Sequence, residues 1–150
     1  MRCWHKDILR SLPDLQLKSQ WRELVLMAKD LSEKGFTNHL LINQIMAYNV
    51  HHFNSYCQIV MSAMIDRGIT VTYQSWQKLA QYTGFEPNGK LLVDRDELFK
   101  DWHNKEYLRV CMANLYEKHF FGIGKSRITD EEWQRLCEGY KTITGEDYAI

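Results

Sequence analysis

Asp14 to Lys34 reads DLQLKSQWRELVLMAKDLSEK, and the spacing of its apolar residues decides the fold class. Leu17, Trp21, Leu24, Ala28 and Leu31 recur at i, i+4, i+7, i+11 and i+14, the interval of one face of an α-helix. Pro13 stands just ahead. Asp14 suits an N-cap or a first-turn acid, and Gly35 can take the left-handed conformation that stops a helix. The stretch predicts a long amphipathic helix.

Working outward, the same interval recurs. Phe53, Cys57, Val60, Met61 and Met64 predict a core-facing helix over about 50–67 with Gly68 as its stop. His39 to Ala47 reads as a shorter helix, and Tyr73 to Tyr82 as another, closed by Gly84. Pro87-Asn88-Gly89 is the strongest turn signal, and the chain beyond it is more charged. Asn104 can cap a helix through about Phe120 that carries Tyr107, Leu108, Cys111, Leu115 and His119 on one side, with Gly122 beyond. Thr129 and Glu132 have the spacing of a capping box before Trp133, Leu136, Cys137 and Tyr140. Only Ile69 to Tyr73 alternates as a strand does, and no internal repeat is present. We therefore expect an all-α fold: a compact single-domain helical bundle, residues 1–150, with the N-terminal segment packed against the long first helix.

A chain of 150 residues can bury roughly 68–70% of the surface its unfolded form exposes, so no disulfide or metal is needed to hold it. The four cysteines lie far apart without a CxxC pair and read as reduced and mostly buried. There is no basic stretch leading into an apolar one at the start, and no apolar run approaches the roughly 20 residues that span a bilayer. A cytoplasmic monomer is expected. Nineteen basic and nineteen acidic side chains cancel, which argues against a uniformly positive nucleic-acid-binding surface. Any DNA contact must use a local patch.

Chemistry concentrates at the start, Met1-Arg2-Cys3-Trp4-His5. Methionine excision generally requires a small second residue, so Arg2 predicts that Met1 is retained and presents its own α-amine. Such an amine has a reference pKa of about 7.7–8.0 against about 10.4 for lysine, and a sizeable fraction is an unprotonated nucleophile near neutral pH. An amine attacking a sugar or carbonyl carbon passes through an imine, and a nearby carboxylate can move protons or stabilise the developing cation. Glu23, beside Arg22 and two places past Trp21, is the candidate carboxylate. From periodicity alone, Arg22-Glu23 reads as a solvated surface pair.

Met1-Arg2-Cys3-Trp4-His5, the Leu12 to Leu17 stretch, Gln20-Trp21-Arg22-Glu23-Leu24, and Val60 to Gly68 ending Met64-Ile65-Asp66-Arg67-Gly68 together resemble the pyrimidine dimer DNA glycosylase/endonuclease V family. The resemblance covers residues 1–85 in good order and, more loosely, Tyr107 to Lys118. It implies an all-α single domain whose N-terminal amine, here Met1, is the nucleophile, with the helix glutamate, here Glu23, as its catalytic partner. The implied substrate is damaged double-stranded DNA such as a pyrimidine dimer. The amine attacks C1′, the base leaves, an imine forms and β-elimination nicks the strand, with no metal or organic cofactor. Arg2 and Arg22 match basic positions that bind phosphates, contacts that position DNA without reading sequence.

Trp4 or His5 would fill or wall the space left by an extruded nucleotide, the alternative for Trp4 being a core anchor. Lys125 and Arg127, near Lys118-His119 and the glycines Gly122 and Gly124, offer a short basic loop for a DNA backbone; the alternative is a solvated loop. Gly122-Ile123-Gly124-Lys125-Ser126 lacks the spacing of a phosphate loop. His39, His51, His52, His103 and His119 lack a metal-binding spacing and read as ordinary hydrogen-bonded histidines, with His52 able to approach a phosphate. The competing function is a non-catalytic helical DNA-binding or protein-interaction module on the same scaffold. It is motivated by the zero net charge.

Overall fold

The protein, a computed structural model, is described over residues 1–33 and 40–149. Those residues form six α-helices and two short 3-10 turns, with no strand among them. Helix α1 (Asp14–Glu33) buries Leu17, Trp21, Leu24 and Ala28, and Leu31 is half-buried, so the opening periodicity is realised. Asp14 sits in its first turn, because the Pro13 carbonyl accepts the first helical bond, from the Leu17 amide at 3.0 Å. Lys34, the expected stop Gly35 and His39 lie outside the described residues.

Helix α2 (Leu40–Met46) is short, and α3 (Val50–Asp66) is the central element. Phe53 to Met61 is buried without a break, polar Asn54, Ser55 and Gln58 included, as a helix covered on all sides requires. Arg67 follows it and reaches back to the 3-10 turn Leu9–Ser11. Its guanidinium donates to the carbonyls of Leu9, Arg10 and Leu12 and pairs with Asp14 at 3.0 Å. The turn that aims the N-terminal segment at α1 is thus tied to the end of α3.

Helix α4 (Tyr73–Thr83) starts at an N-cap on Thr72 and ends at Gly84, whose φ of 75° is the left-handed value expected of it. It packs along α1, where Trp21 Nε1 donates to Ser75 Oγ at 2.9 Å. The alternation over Ile69 to Tyr73 does not make a strand. It is an extended connector, since no neighbouring strand is present among the described residues to complete a ladder. Helices α5 (Lys105–Phe120) and α6 (Asp130–Thr144) begin on the caps read from sequence: Asn104 accepts from the Tyr107 amide, and Thr129 and Glu132 close their capping box.

Beyond Gly84 the chain is helical only from Lys105. Residues 84–104 run through turns closed by local backbone bonds, such as Glu97 amide to Asp94 carbonyl and Trp102 amide to Phe99 carbonyl, and other elements add side-chain ties to them. Ser55 Oγ accepts from the amides of Leu92 and Val93, His52 Nδ1 accepts from the Phe99 amide, and buried Lys6 gives its ammonium to the carbonyls of Arg95 and Leu98. Leu98 and Phe99 enter the core from here. Cys3 and Trp4 are buried and meet the long helix at Met27 and Gln20, as expected, and His5 is buried beside them.

Candidate active site

An extended segment with no strand beside it must satisfy its backbone polar groups through side chains. Residues 2–4 do so with four partners. The Arg2 amide donates to Glu23 Oε2 at 3.2 Å, and the Arg2 carbonyl accepts from Gln20 Nε2 at 2.6 Å. Gln20 Oε1 accepts from the Trp4 amide at 2.8 Å. The hydroxyls of Tyr56 and Tyr107 donate to the carbonyls of Trp4 and Cys3, each at 2.6 Å. Two adjacent turns of α1, one residue of α3 and one of α5 thereby fix the segment.

That clamp stops short of Met1, which is half exposed at the mouth of a cavity of about 340 Å³. Glu23, Arg2, Trp4 and Ser19 also line it, as do Lys118 from α5 and Ser126 from the second 3-10 turn (Gly124–Ser126). Met1 and Glu23 form no direct ion pair among the described contacts, and both line the cavity. Arg2 lies 5.3 Å from the centre of the Trp4 ring, a cation over an aromatic face that holds the guanidinium at the rim. Cys3 is a poor competitor for the nucleophile's role, since complete burial and then the nearby Glu23 push its thiol strongly up towards the protonated form.

Of the residues singled out in the sequence, Met1, Arg2, Trp4 and Glu23 are brought together. Trp4, 5% exposed, is a core anchor and a wall of the cavity at once. Arg22 is exposed and donates to Ser19 Oγ, placing it at the cavity's margin. His5 has no surface to offer DNA: it is buried, stacked on His103 at 5.3 Å, and accepts from the Asp7 amide. Burial lowers its pKa and favours the neutral imidazole. Lys125 is exposed beside Ser126, whereas Arg127 is drawn to Asp130 at 3.3 Å. Among the described residues, no three His, Cys, Asp or Glu side chains gather as a metal site.

Sequence reasoning missed Gln20, Tyr56 and Tyr107 as clamps and Lys118 as a cavity residue. For Gln20 a signal existed. It lies three residues after Leu17 and four before Leu24, on the buried face, where a fully enclosed amide needs partners. For the tyrosines and Lys118 none existed, because their proximity to Met1 is created by the packing of α3 and α5.

The fold and cavity define a class: a helical protein that pins its N-terminal segment so that a main-chain amine and a carboxylate share one solvent-open site flanked by cations. Residues 1–77 match the family model described as pyrimidine dimer DNA glycosylase, and the chain belongs to that family, whose members are DNA repair glycosylases. No curated protein and no solved structure matches the chain. No helix among the described residues is long and apolar enough to cross a membrane.

Proposed function

We propose that this glycosylase is also an AP lyase that works through an imine on the Met1 amine, on damaged duplex DNA such as a pyrimidine dimer. The observation that carries the reading is the shared cavity of Met1 and Glu23, in a chain of this family. The amine lone pair forms the N–C1′ bond as the C1′–base bond breaks, the base leaving with the electron pair. Loss of a proton from nitrogen and opening of the sugar ring give a protonated imine. Removal of a C2′ proton then expels the 3′ phosphate by breaking C3′–O, and water hydrolyses the imine to regenerate the amine. Glu23 is suited to carry the protons and to stabilise the cation. Arg2, Arg22 and Lys118 would hold phosphates around the site.

Both reacting groups come from one chain, so the scheme needs neither a second copy nor a cofactor. The free cysteines suit the reducing cytoplasm. Borohydride reduction in the presence of abasic-site DNA tests the mechanism. A covalent adduct should form with the native terminus, disappear when residues are added ahead of Met1, and fall at least ~100-fold in rate in Glu23→Gln, the range expected of a lost proton-transfer group. An adduct that survives the extension, or Glu23→Gln protein that reacts at the full rate, would sink it. No adduct with the native terminus would favour a non-catalytic module.

A further inference from the structure

Beyond the amine site, large apolar side chains stand exposed together at the end of α5 and in the turn that leads to α6. Phe120, Phe121 and Ile123 are 63%, 73% and 83% exposed. Large apolar side chains left outside together signal a binding surface rather than an incomplete core. The turn is braced, not loose. The Ile128 amide donates to the Lys118 carbonyl and Ile128 itself is wholly buried. His119 Nδ1 contacts the Ile128 carbonyl at 2.9 Å, and Ser126 Oγ donates to the Ile123 carbonyl at 3.1 Å. Gly122 is the point of closest return: a Cβ there would collide with the Lys118 carbonyl and crowd Arg127 Cα, so only glycine lets the turn fold back this far. Tyr116 stacks on Phe120 at 5.8 Å, and Phe120 meets Phe121 at 4.8 Å, which stiffens the base of the projection.

The position of this turn gives it a partner. A groove lined by Phe121, Gly122, Asn114, Glu117, Lys118 and Ser126 adjoins the Met1–Glu23 cavity and shares Asn114, Lys118 and Ser126 with it; Glu117 is its one carboxylate among the described residues. Lys118 and the exposed Lys125 flank the apolar tip, and neither has a carboxylate partner among the described ion pairs. Apolar side chains between cations, beside a cavity suited to a nucleotide, complement a base step bounded by phosphates. Drawing a nucleotide out of the stack costs a few kcal/mol, and apolar side chains inserted between bases are a known way for proteins to hold a duplex open.

We propose that the Phe120–Lys125 turn is the element that enters the duplex at the lesion. Phe121, supported by Ile123, occupies the gap in the stack, while Lys118 and Lys125 hold the phosphates on either side. The assignment rests on the amine-site reading for its substrate. The test uses a duplex with a tetrahydrofuran abasic analogue, which cannot react, and the fluorescent base 2-aminopurine next to it.

Wild type should raise the fluorescence several-fold. Phe121→Ala/Ile123→Ala should lose that rise and at least tenfold in affinity for this duplex, with affinity for undamaged duplex unchanged. Borohydride trapping on a single-stranded abasic oligonucleotide, where no stack has to be opened, should survive in the double variant. Equal fluorescence and equal lesion affinity in wild type and variant would overturn the assignment, as would loss of single-strand trapping in the variant, which would make the turn merely structural. Failure of wild type to trap either abasic substrate would instead count against the amine mechanism, and the fluorescence arm judges the turn whether or not the amine reacts.

Discussion

At the scale of single residues, the site depends on groups that hold rather than react. Gln20 is wholly buried and answers two backbone groups of the N-terminal segment, one on each side of Cys3. Leucine in its place has similar volume but no polar atoms, so the Trp4 amide and the Arg2 carbonyl lose their partners. An orphaned buried group costs about 1–3 kcal/mol, and we expect Gln20→Leu to lose about 2–4 kcal/mol in urea unfolding. Imine trapping should fall further than stability alone explains, because an amine released from its position forfeits the advantage of orientation. A variant that traps at the wild-type rate while still folded would show that the clamp does not position Met1. Glu23 differs from Gln20 in position: one oxygen accepts from the Arg2 amide, and the carboxylate also lines the cavity.

Among the elements, the helices were legible and the pieces between them were not. Periodicity and end signals placed α1, α3, α4, α5 and α6 because a helix satisfies its backbone internally and its ends carry local signatures such as Asn104, Thr129 and Gly84. The 3-10 turn Leu9–Ser11 and the turns of 84–104 close only short local bonds, and their remaining ties come from Arg67, Ser55, His52 and Lys6 in distant parts of the chain. Arg67 shows what this implies. Lysine retains its charge but not the planar fork that reaches several carbonyls at once. Arg67→Lys should therefore cost about 1–3 kcal/mol by chemical denaturation, consistent with the loss of two or three charge-assisted bonds at about 1 kcal/mol or more each. An unchanged unfolding midpoint would mean that the turn stands without its tie.

For the whole molecule, a buried polar cluster joins the N-terminal segment to the non-helical stretch before α5. His103 Nδ1 accepts from the Lys6 amide, His5 stacks on His103, and His52 packs against Phe99 at 5.7 Å. Burial lowers the pKa of His103, then the neighbouring His5 and Lys6 lower it further; burial also lowers those of His5 and His52. The unfolded chain, with histidines near their ordinary value of about 6.5, consequently binds more protons than the folded one below that pH. The stability these neutral imidazoles contribute is complete above about pH 6.5 and is lost as the pH falls towards their depressed folded values. Thermal midpoints should drop between pH 7 and pH 5, and His103→Asn, which keeps an acceptor for the Lys6 amide, should drop less steeply. A flat profile in the wild type would show that the cluster is solvated enough to protonate without cost.

The sequence by itself determined the all-α class and the caps that start the principal helices, because each is written in residue type and local spacing; it offered Met1 and Glu23 as candidates through the family resemblance, since spacing alone left Glu23 a surface residue. Only the tertiary structure decided that Trp4 is anchor and wall together, that His5 is enclosed, that Lys118 joins the site, and that the exposed turn Phe120–Lys125 stands beside it. The reason is physical. Local spacing fixes which way a side chain faces on its own helix, but what it meets there depends on how distant segments pack and on which buried backbone groups still need a partner.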